Sequence, residues 1–268
     1  MPKVRLDSLI FDRGLTESRE KAKALIMEGA VYVNGQKADK AGMQVKEDAS
    51  VEVRDPSCPY VSRGGLKLEK AIEVFGIDPT GMVGLDIGSS TGGFTDCLLK
   101  HGAKRVYAVD VGTNQMAYRL RTDERVKVFE KTNFRYFERE NVPDRIDITV
   151  MDVSFISITK LAENIRSFCE KDTEMVFLIK PQFESDRKTV GKGEGVISDA
   201  RDHVRIVTEV TDKMEEHGFF VRDMDYSPVK GQAGNIEFIT RFTLDPSLKT
   251  EDLSSLIEDC VKRAHSQL

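Results

Sequence analysis

Cysteine and histidine are scarce, and what they cannot build narrows the reading first. The four cysteines, Cys58, Cys97, Cys169 and Cys260, lie far apart with no CxxC pair, and the four histidines show no metal-ligand spacing. This excludes a disulfide framework and a structural zinc site, so no metal is expected. Any run of about 18 apolar residues, the length that crosses a membrane, is missing as well. The opening MPKVRLDSLI also lacks the apolar core of a secretory signal. No membrane is expected as a partner, and the cytoplasm is the expected location. A positive surplus is absent too. The net charge of -5 argues against coating nucleic acid over the whole surface, yet leaves room for a local basic patch. Residues 1–60 hold ten Lys/Arg against ten Asp/Glu, so the acidic excess falls in the remainder.

What is present is an ordinary folded composition, 40% hydrophobic and 32% charged. A length of 268 residues suits one large α/β domain with a small appendage. Residues 4–14 read as a helix with Leu6, Leu9 and Ile10 on one face, ending at Gly14. A second helix starts at Thr16 or Ser18, carries Ala22, Leu25 and Ile26 at helical spacing, and stops at Glu28-Gly29. The run Ala30 to Val33 is a strand entering the tight turn that Asn34-Gly35 favours. Val45 and Val51-Glu52-Val53 suggest further short strands. Residues 1–55 therefore form a small α+β module, and Asp55-Pro56-Ser57-Cys58-Pro59 breaks regular structure, giving a linker at 56–61.

From residue 62 onward strands alternate with helices, the signature of a parallel sheet covered on both faces. The expected strands are Gly81–Ile87, Arg105–Val109, Val126–Phe129, Ile146–Met151, Met175–Ile179, Phe219–Tyr226 and Ile236–Thr243. A seven-stranded sheet closing in a hairpin is the methyltransferase variant of the Rossmann architecture. The fold class is thus α/β, a Rossmann-type seven-stranded sheet over residues 62–268 with a small N-terminal α+β domain. The segment after Pro246 reads as a packing helix.

The segment Val83 to Phe94 is an apolar strand, a glycine-rich turn and a helix start. Gly88, Ser89, Gly92, Gly93 and Phe94 would surround a ligand there, because glycine admits close backbone approach and a helix N-terminus attracts a carboxylate. The spacing Gly-x-x-x-Gly-Gly departs from the dinucleotide fingerprint, and Asp110 closes the next strand 22 residues after Gly88. An acid there holds both hydroxyls of a ribose. The combination fits S-adenosylmethionine better than a nicotinamide dinucleotide, whose pyrophosphate lacks its cradle. Asp86 either positions the methionine end of that ligand or caps the following helix.

Methylating a ribose hydroxyl requires a site that favours the oxyanion, which lysines beside carboxylates provide. Asp152 and Lys180 each end a strand and would face the crevice at the carboxyl edge of the sheet. Glu237 is a charge among apolar neighbours, and Lys67 precedes the helix leading into the domain. Each alone is compatible with an ordinary salt bridge.

Taken together, the runs Arg5-Leu6-Asp7, Gly14 to Arg19, Leu25 to Val31, Ser62 to Leu68, Asp86 to Asp96, Met151 to Ser157, Leu178 to Glu184 and Gly234 to Phe238 resemble the TlyA family. These are ribosomal RNA 2′-O-methyltransferases, also called haemolysin A, related more distantly to FtsJ-like enzymes. The resemblance covers nearly the whole chain. It implies that Lys67, Asp152, Lys180 and Glu237 form a catalytic tetrad, that Lys180 activates the 2′-hydroxyl, and that the substrate is a cytidine ribose of ribosomal RNA in the ribosomal subunit. The short lead before Arg5 resembles members acting on the large subunit alone. Asp152-Val153-Ser154-Phe155 is not the Pro-Pro-Tyr type motif of amino-group methylation, and no cysteine follows a proline, as carbon-5 methylation would need.

The first module resembles the S4 type of RNA-binding domain. Phosphate contacts are expected from Arg5, Arg19, Lys21 and Lys23, with Arg63 at the head of the second domain. Lys188 and Lys192 lie in the Gly- and Lys-rich stretch 186–195, expected to be an RNA-facing loop. Three rivals remain open: a membrane-active haemolysin, a non-catalytic binding protein, and a methyltransferase of another RNA.

Overall fold

A computed structural model describes residues 3–16, 18–53, 58–185, 195–231 and 234–268. The small domain runs β1 (Lys3–Arg5), α1 (Leu6–Asp12), α2 (Arg19–Met27), β2 (Val31–Val33), β3 (Gln36–Lys37), β4 (Gln44–Lys46) and β5 (Val51–Val53). Its core gathers Leu6, Ile10, Ile26, Val31 and Val51. Ser18 caps α2 by accepting from the Lys21 amide. Asn34 and Gly35 both take positive φ, 49° and 80°, as the turn between β2 and β3 demands. One expectation is corrected. Residues 3–5 are not helical but pair with β4, and the helix begins at Leu6 because the Leu6 and Asp7 amides bond to the carbonyls of Met43 and Ala41.

The large domain contains β6 (Val83–Ile87), β7 (Arg105–Val109), β8 (Val126–Phe129), β9 (Ile148–Met151), β10 (Glu174–Ile179), β11 (Phe220–Tyr226) and β12 (Phe238–Thr243). They form one sheet in the order β11-β12-β10-β9-β6-β7-β8. Six strands run in one direction, and β12 alone lies antiparallel, between β10 and β11. Its helices are α3 (Gly64–Phe75), α4 (Gly93–Lys100), α5 (Tyr118–Arg121), α6 (Ala162–Phe168), α7 (Pro181–Glu184), α8 (Ala200–Glu216) and α9 (Leu253–Gln267). The expected segment after Pro246 is α9. Strand β10 shows why both sheet faces are covered. Met175, Phe177 and Ile179 enter the core with Ile206, Val210 and Ile257, whereas Val176 and Leu178 enter the opposite core with Leu68 and Leu98. The first strand starts at Val83 rather than Gly81, whose φ of 76° is incompatible with extended backbone.

Two glycines begin α3, against their helix propensity. A Cβ on Gly65 would fall 2.3 Å from the Tyr60 ring, and where α4 meets this helix a Cβ on Gly93 would fall 2.5 Å from Ser62 Oγ and 2.8 Å from the Gly65 amide nitrogen. The opening turns of the two helices thus touch through bare backbone. Lys67, expected just ahead of this helix, sits in its first turn. Tyr60 and Val61, expected in the linker, are buried in the large domain. The Tyr60 hydroxyl donates to Glu69 at 2.6 Å, and the Val61 amide donates to Asp96 at 2.9 Å.

The small domain rests on residues 114–118. Ser50 Oγ donates to the Met116 carbonyl at 3.3 Å, Asn114 donates to the Asp48 carbonyl, and the Tyr118 ring lies against Gly35. Glu130 fixes this stretch from below by accepting from the amides of Asn114, Gln115 and Met116.

Candidate active site

The carboxyl ends of β6, β7, β9 and β10 open onto one crevice, as a shared strand direction requires. The turn after β6 carries Gly88 with φ 81°, where a Cβ would lie 2.7 Å from the Asp152 carbonyl oxygen. Glycine is needed there by the protein's own backbone. Ser89 is buried beside it, and Gly92 leads into α4 against Met116 and Leu120. Asp110, at the end of β7, accepts from the amides of Ser90 at 2.8 Å and Gly112 at 2.6 Å, which brings its carboxylate to the turn. Phe94 goes elsewhere. Its ring is buried in the core that includes Leu68 and Leu98, so its side chain is removed from the expected cofactor contacts.

Asp86 is fully buried on β6, and Oδ2 accepts from the Thr95 hydroxyl at 2.6 Å. Its Oδ1 has no partner among the described residues. Capping of α4 through Thr95 thus uses only half of the carboxylate. Burial pushes this group up to about 7; repulsion from Asp152 and Asp110 adds to the rise, and the Thr95 hydrogen bond opposes it.

Four charged side chains meet at the centre. Lys67 Nζ lies 2.6 Å from Glu237 Oε2 and 3.2 Å from Asp152 Oδ2. Lys180 Nζ lies 2.5 Å from Asp152 Oδ1. Three strand ends and one helix supply them. Asp152 follows β9, Lys180 follows β10, and Lys67 comes from α3. Glu237 immediately precedes β12, whose antiparallel course brings its beginning to the exit of β10, with Phe238 opposite Ile179. Burial alone would lower the Lys67 ammonium below its ordinary range, but the two carboxylates outweigh it and hold the group above that range. Burial likewise opposes the Asp152 charge, and the two lysines overcome it, leaving the carboxyl below its ordinary range.

Three neighbours escaped the sequence reading. Ser154 Oγ accepts from Lys180 Nζ at 3.1 Å, and Gln182 donates to Glu237 Oε1 at 3.4 Å. Phe155 is 89% exposed, with φ 64°, and its ring stands 4.9 Å from that of Phe183. An aromatic residue in left-handed backbone is strained, and such strain concentrates at functional sites. All three lie in motifs quoted for the family resemblance, which was the only signal available for them.

The expected RNA contacts occupy two places. Arg5 and Arg19 both converge on buried Asp7, at 2.9 and 3.4 Å, and the Arg5 hydrogen bonds chiefly hold that carboxyl down to about 2. On α2, Lys21 is exposed and Lys23 half-buried. Arg63 is exposed at the head of α3, one turn before Lys67. Lys188 and Lys192 lie outside the described residues.

Comparison with known proteins matches residues 60–243 to the FtsJ-like methyltransferase family and residues 4–51 to the S4 domain. The chain is 46% identical to "Hemolysin A" of Brachyspira hyodysenteriae, over 90% of this chain and 100% of that protein. It is 38% identical to "16S/23S rRNA (cytidine-2'-O)-methyltransferase TlyA" of Mycobacterium tuberculosis, over 99% of this chain and 98% of that protein. A solved Streptococcus thermophilus structure bearing a hemolysin label matches with a TM-score of 0.78 and 40% identity, covering 100% of this chain and 97% of that one.

Proposed function

We propose, from the premise that this chain belongs to the TlyA family of FtsJ-like methyltransferases and carries an S4 domain, that it methylates the 2′-oxygen of a cytidine in ribosomal RNA. The observation that carries this reading is the contact of Lys67 with both Asp152 and Glu237 while Lys180 touches Asp152, side chains drawn from positions up to 170 residues apart. The 23S RNA of the large subunit is the first expected target and 16S RNA the second, which places the protein with ribosomal subunits in the cytoplasm.

The residues fit S-adenosylmethionine: a glycine turn at a strand exit, Asp110 beside it, and an unpartnered buried oxygen on Asp86. When bound, that group supplies a methyl carbon on a sulfonium, whose carbon–sulfur bond breaks with its electron pair as the ribose oxygen takes the methyl. Asp110 would accept from ribose hydroxyls and Asp86 from the ammonium of the amino-acid end. Lys180 Nζ, once it has given up a proton, takes the proton of the 2′-hydroxyl. Lys67, clamped between two carboxylates, remains a cation and stabilises the developing oxyanion. Phe155 offers its exposed ring to a base withdrawn from its stack. Arg5, Arg19, Lys21 and Lys23 of the S4 domain, with Arg63, hold RNA phosphates.

Asp86 gives this reading a pH signature. A ligand ammonium favours the ionised carboxylate, whereas below about 7 the protein must first lose a proton. S-adenosylmethionine affinity is therefore expected to rise from about pH 6 to about pH 7.5, with proton release. Calorimetry in buffers of different ionisation enthalpy measures that release, and Asp86→Asn should abolish it. A wild-type affinity flat across this range would remove Asp86 from the cofactor site.

The reaction itself is tested by incubating the protein and labelled S-adenosylmethionine with both ribosomal subunits from a strain lacking the gene. Label at a cytidine 2′-oxygen is the expected result. Unlabelled subunits, with cofactor binding demonstrated separately, would sink the substrate; lysis of cells by the protein without the methyl donor would favour the haemolysin reading.

A further inference from the structure

Lys180 is held by charge on one side and by a hydroxyl on the other, and the two partners act differently. Asp152 Oδ1 attracts the ammonium from 2.5 Å, yet makes no aligned hydrogen bond among the described residues. Charge fixes where the nitrogen sits but not how it is turned about the Cε–Nζ bond. Ser154 Oγ, at 3.1 Å, receives the one aligned hydrogen bond of this ammonium among the described residues. A tetrahedral nitrogen with one N–H direction fixed has all three fixed.

The loop bearing Ser154 is itself anchored at both ends. Asp152 tethers it to the two lysines, and the Ile158 amide donates to half-buried Glu184 Oε1 at 2.9 Å on α7, the helix that begins just after Lys180. Between these anchors Phe155 is forced into left-handed backbone. Such a loop keeps Ser154 at a set distance from the end of β10.

We propose that Ser154 is a positioning residue, whose hydroxyl orients the Lys180 amine so that its lone pair faces the ribose 2′-hydroxyl. This rests on the 2′-O-methyl transfer reading given above. Once Lys180 has given up a proton, its lone pair takes one of the two directions left open by the N–H that Ser154 holds. The 2′-hydroxyl proton moves into that lone pair as the oxygen bonds to the methyl carbon, and sulfur retains the electron pair of the broken bond. Without Ser154 the amine rotates, and only a fraction of encounters is aligned.

Steady-state and binding measurements on Ser154→Ala and Ser154→Thr, with ribosomal subunits as substrate, test this. Ser154 is exposed, so both variants keep the wild-type melting temperature. The expected result is a kcat about tenfold lower for Ser154→Ala, unchanged KM for RNA, unchanged Kd for S-adenosylmethionine, and recovery in Ser154→Thr. Wild-type kcat in Ser154→Ala overturns the proposal, as does a loss that threonine does not restore or one confined to KM. Absence of transfer by the wild-type protein would instead remove the reaction on which the proposal rests.

Discussion

Lys180→Ala is expected to lower the methyl-transfer rate by about a thousandfold while the Kd for S-adenosylmethionine stays within about twofold. Single-turnover transfer and calorimetric titration measure the two quantities. The separation follows from the contacts. Lys180 meets Asp152 and Ser154 and none of the expected cofactor residues. Asp152 keeps Lys67 as a partner when Lys180 is truncated, so no carboxylate is stranded. Lys180→Arg sharpens the test. Arginine preserves the positive charge but does not give up its proton, so it should be as inactive as alanine if Lys180 works as a proton acceptor. Substantial activity in Lys180→Arg would reassign this position to electrostatic stabilisation alone.

Lys67→Ala should behave differently, losing both activity and stability. Lys67 is the sole described cation in contact with Glu237, and it shares Asp152. Its removal strands a carboxylate whose side chain is 3% exposed. Breaking a buried pair in this way costs about 3–5 kcal/mol, which for a chain of this size lowers Tm by roughly 10 °C. Thermal melts of the variant and of Lys67→Ala combined with Glu237→Gln decide the cause. The second change removes the stranded charge and should recover much of the lost Tm without restoring transfer. Equal melting of wild type and Lys67→Ala would show that the network contributes nothing to the fold.

The large sheet was readable because its strands are long, apolar and separated by helices; β7 and β8 fall on the expected residues. The small domain was readable except at its entrance, where three residues pair with a strand some forty positions later, a partnership that local periodicity does not encode. Glu237 could be suspected from its apolar neighbours, but its meeting with Lys67 depends on β12 running antiparallel. The roles of Gly65 and Gly93 were hidden for a similar reason, since the demand for bare backbone comes from Tyr60 ahead of the helix in the one case and from the start of another helix in the other. Ser154 and Phe155 gave no compositional signal at all. One is an ordinary hydroxyl in a loop, and the other adopts a backbone angle that its residue type disfavours.

The position of β12 has a consequence for the order in which the molecule is made. Residues 1–236 already include the glycine turn, Lys67, Asp152 and Lys180, yet β11 has no neighbour in the sheet until β12 inserts between it and β10. A nascent chain reaching that point therefore holds an unpaired last strand and a charged cluster lacking its second carboxylate. Synthesis from the N-terminus therefore leaves both the sheet and the charged cluster at its carboxyl edge incomplete until Phe238–Thr243 has left the exit tunnel.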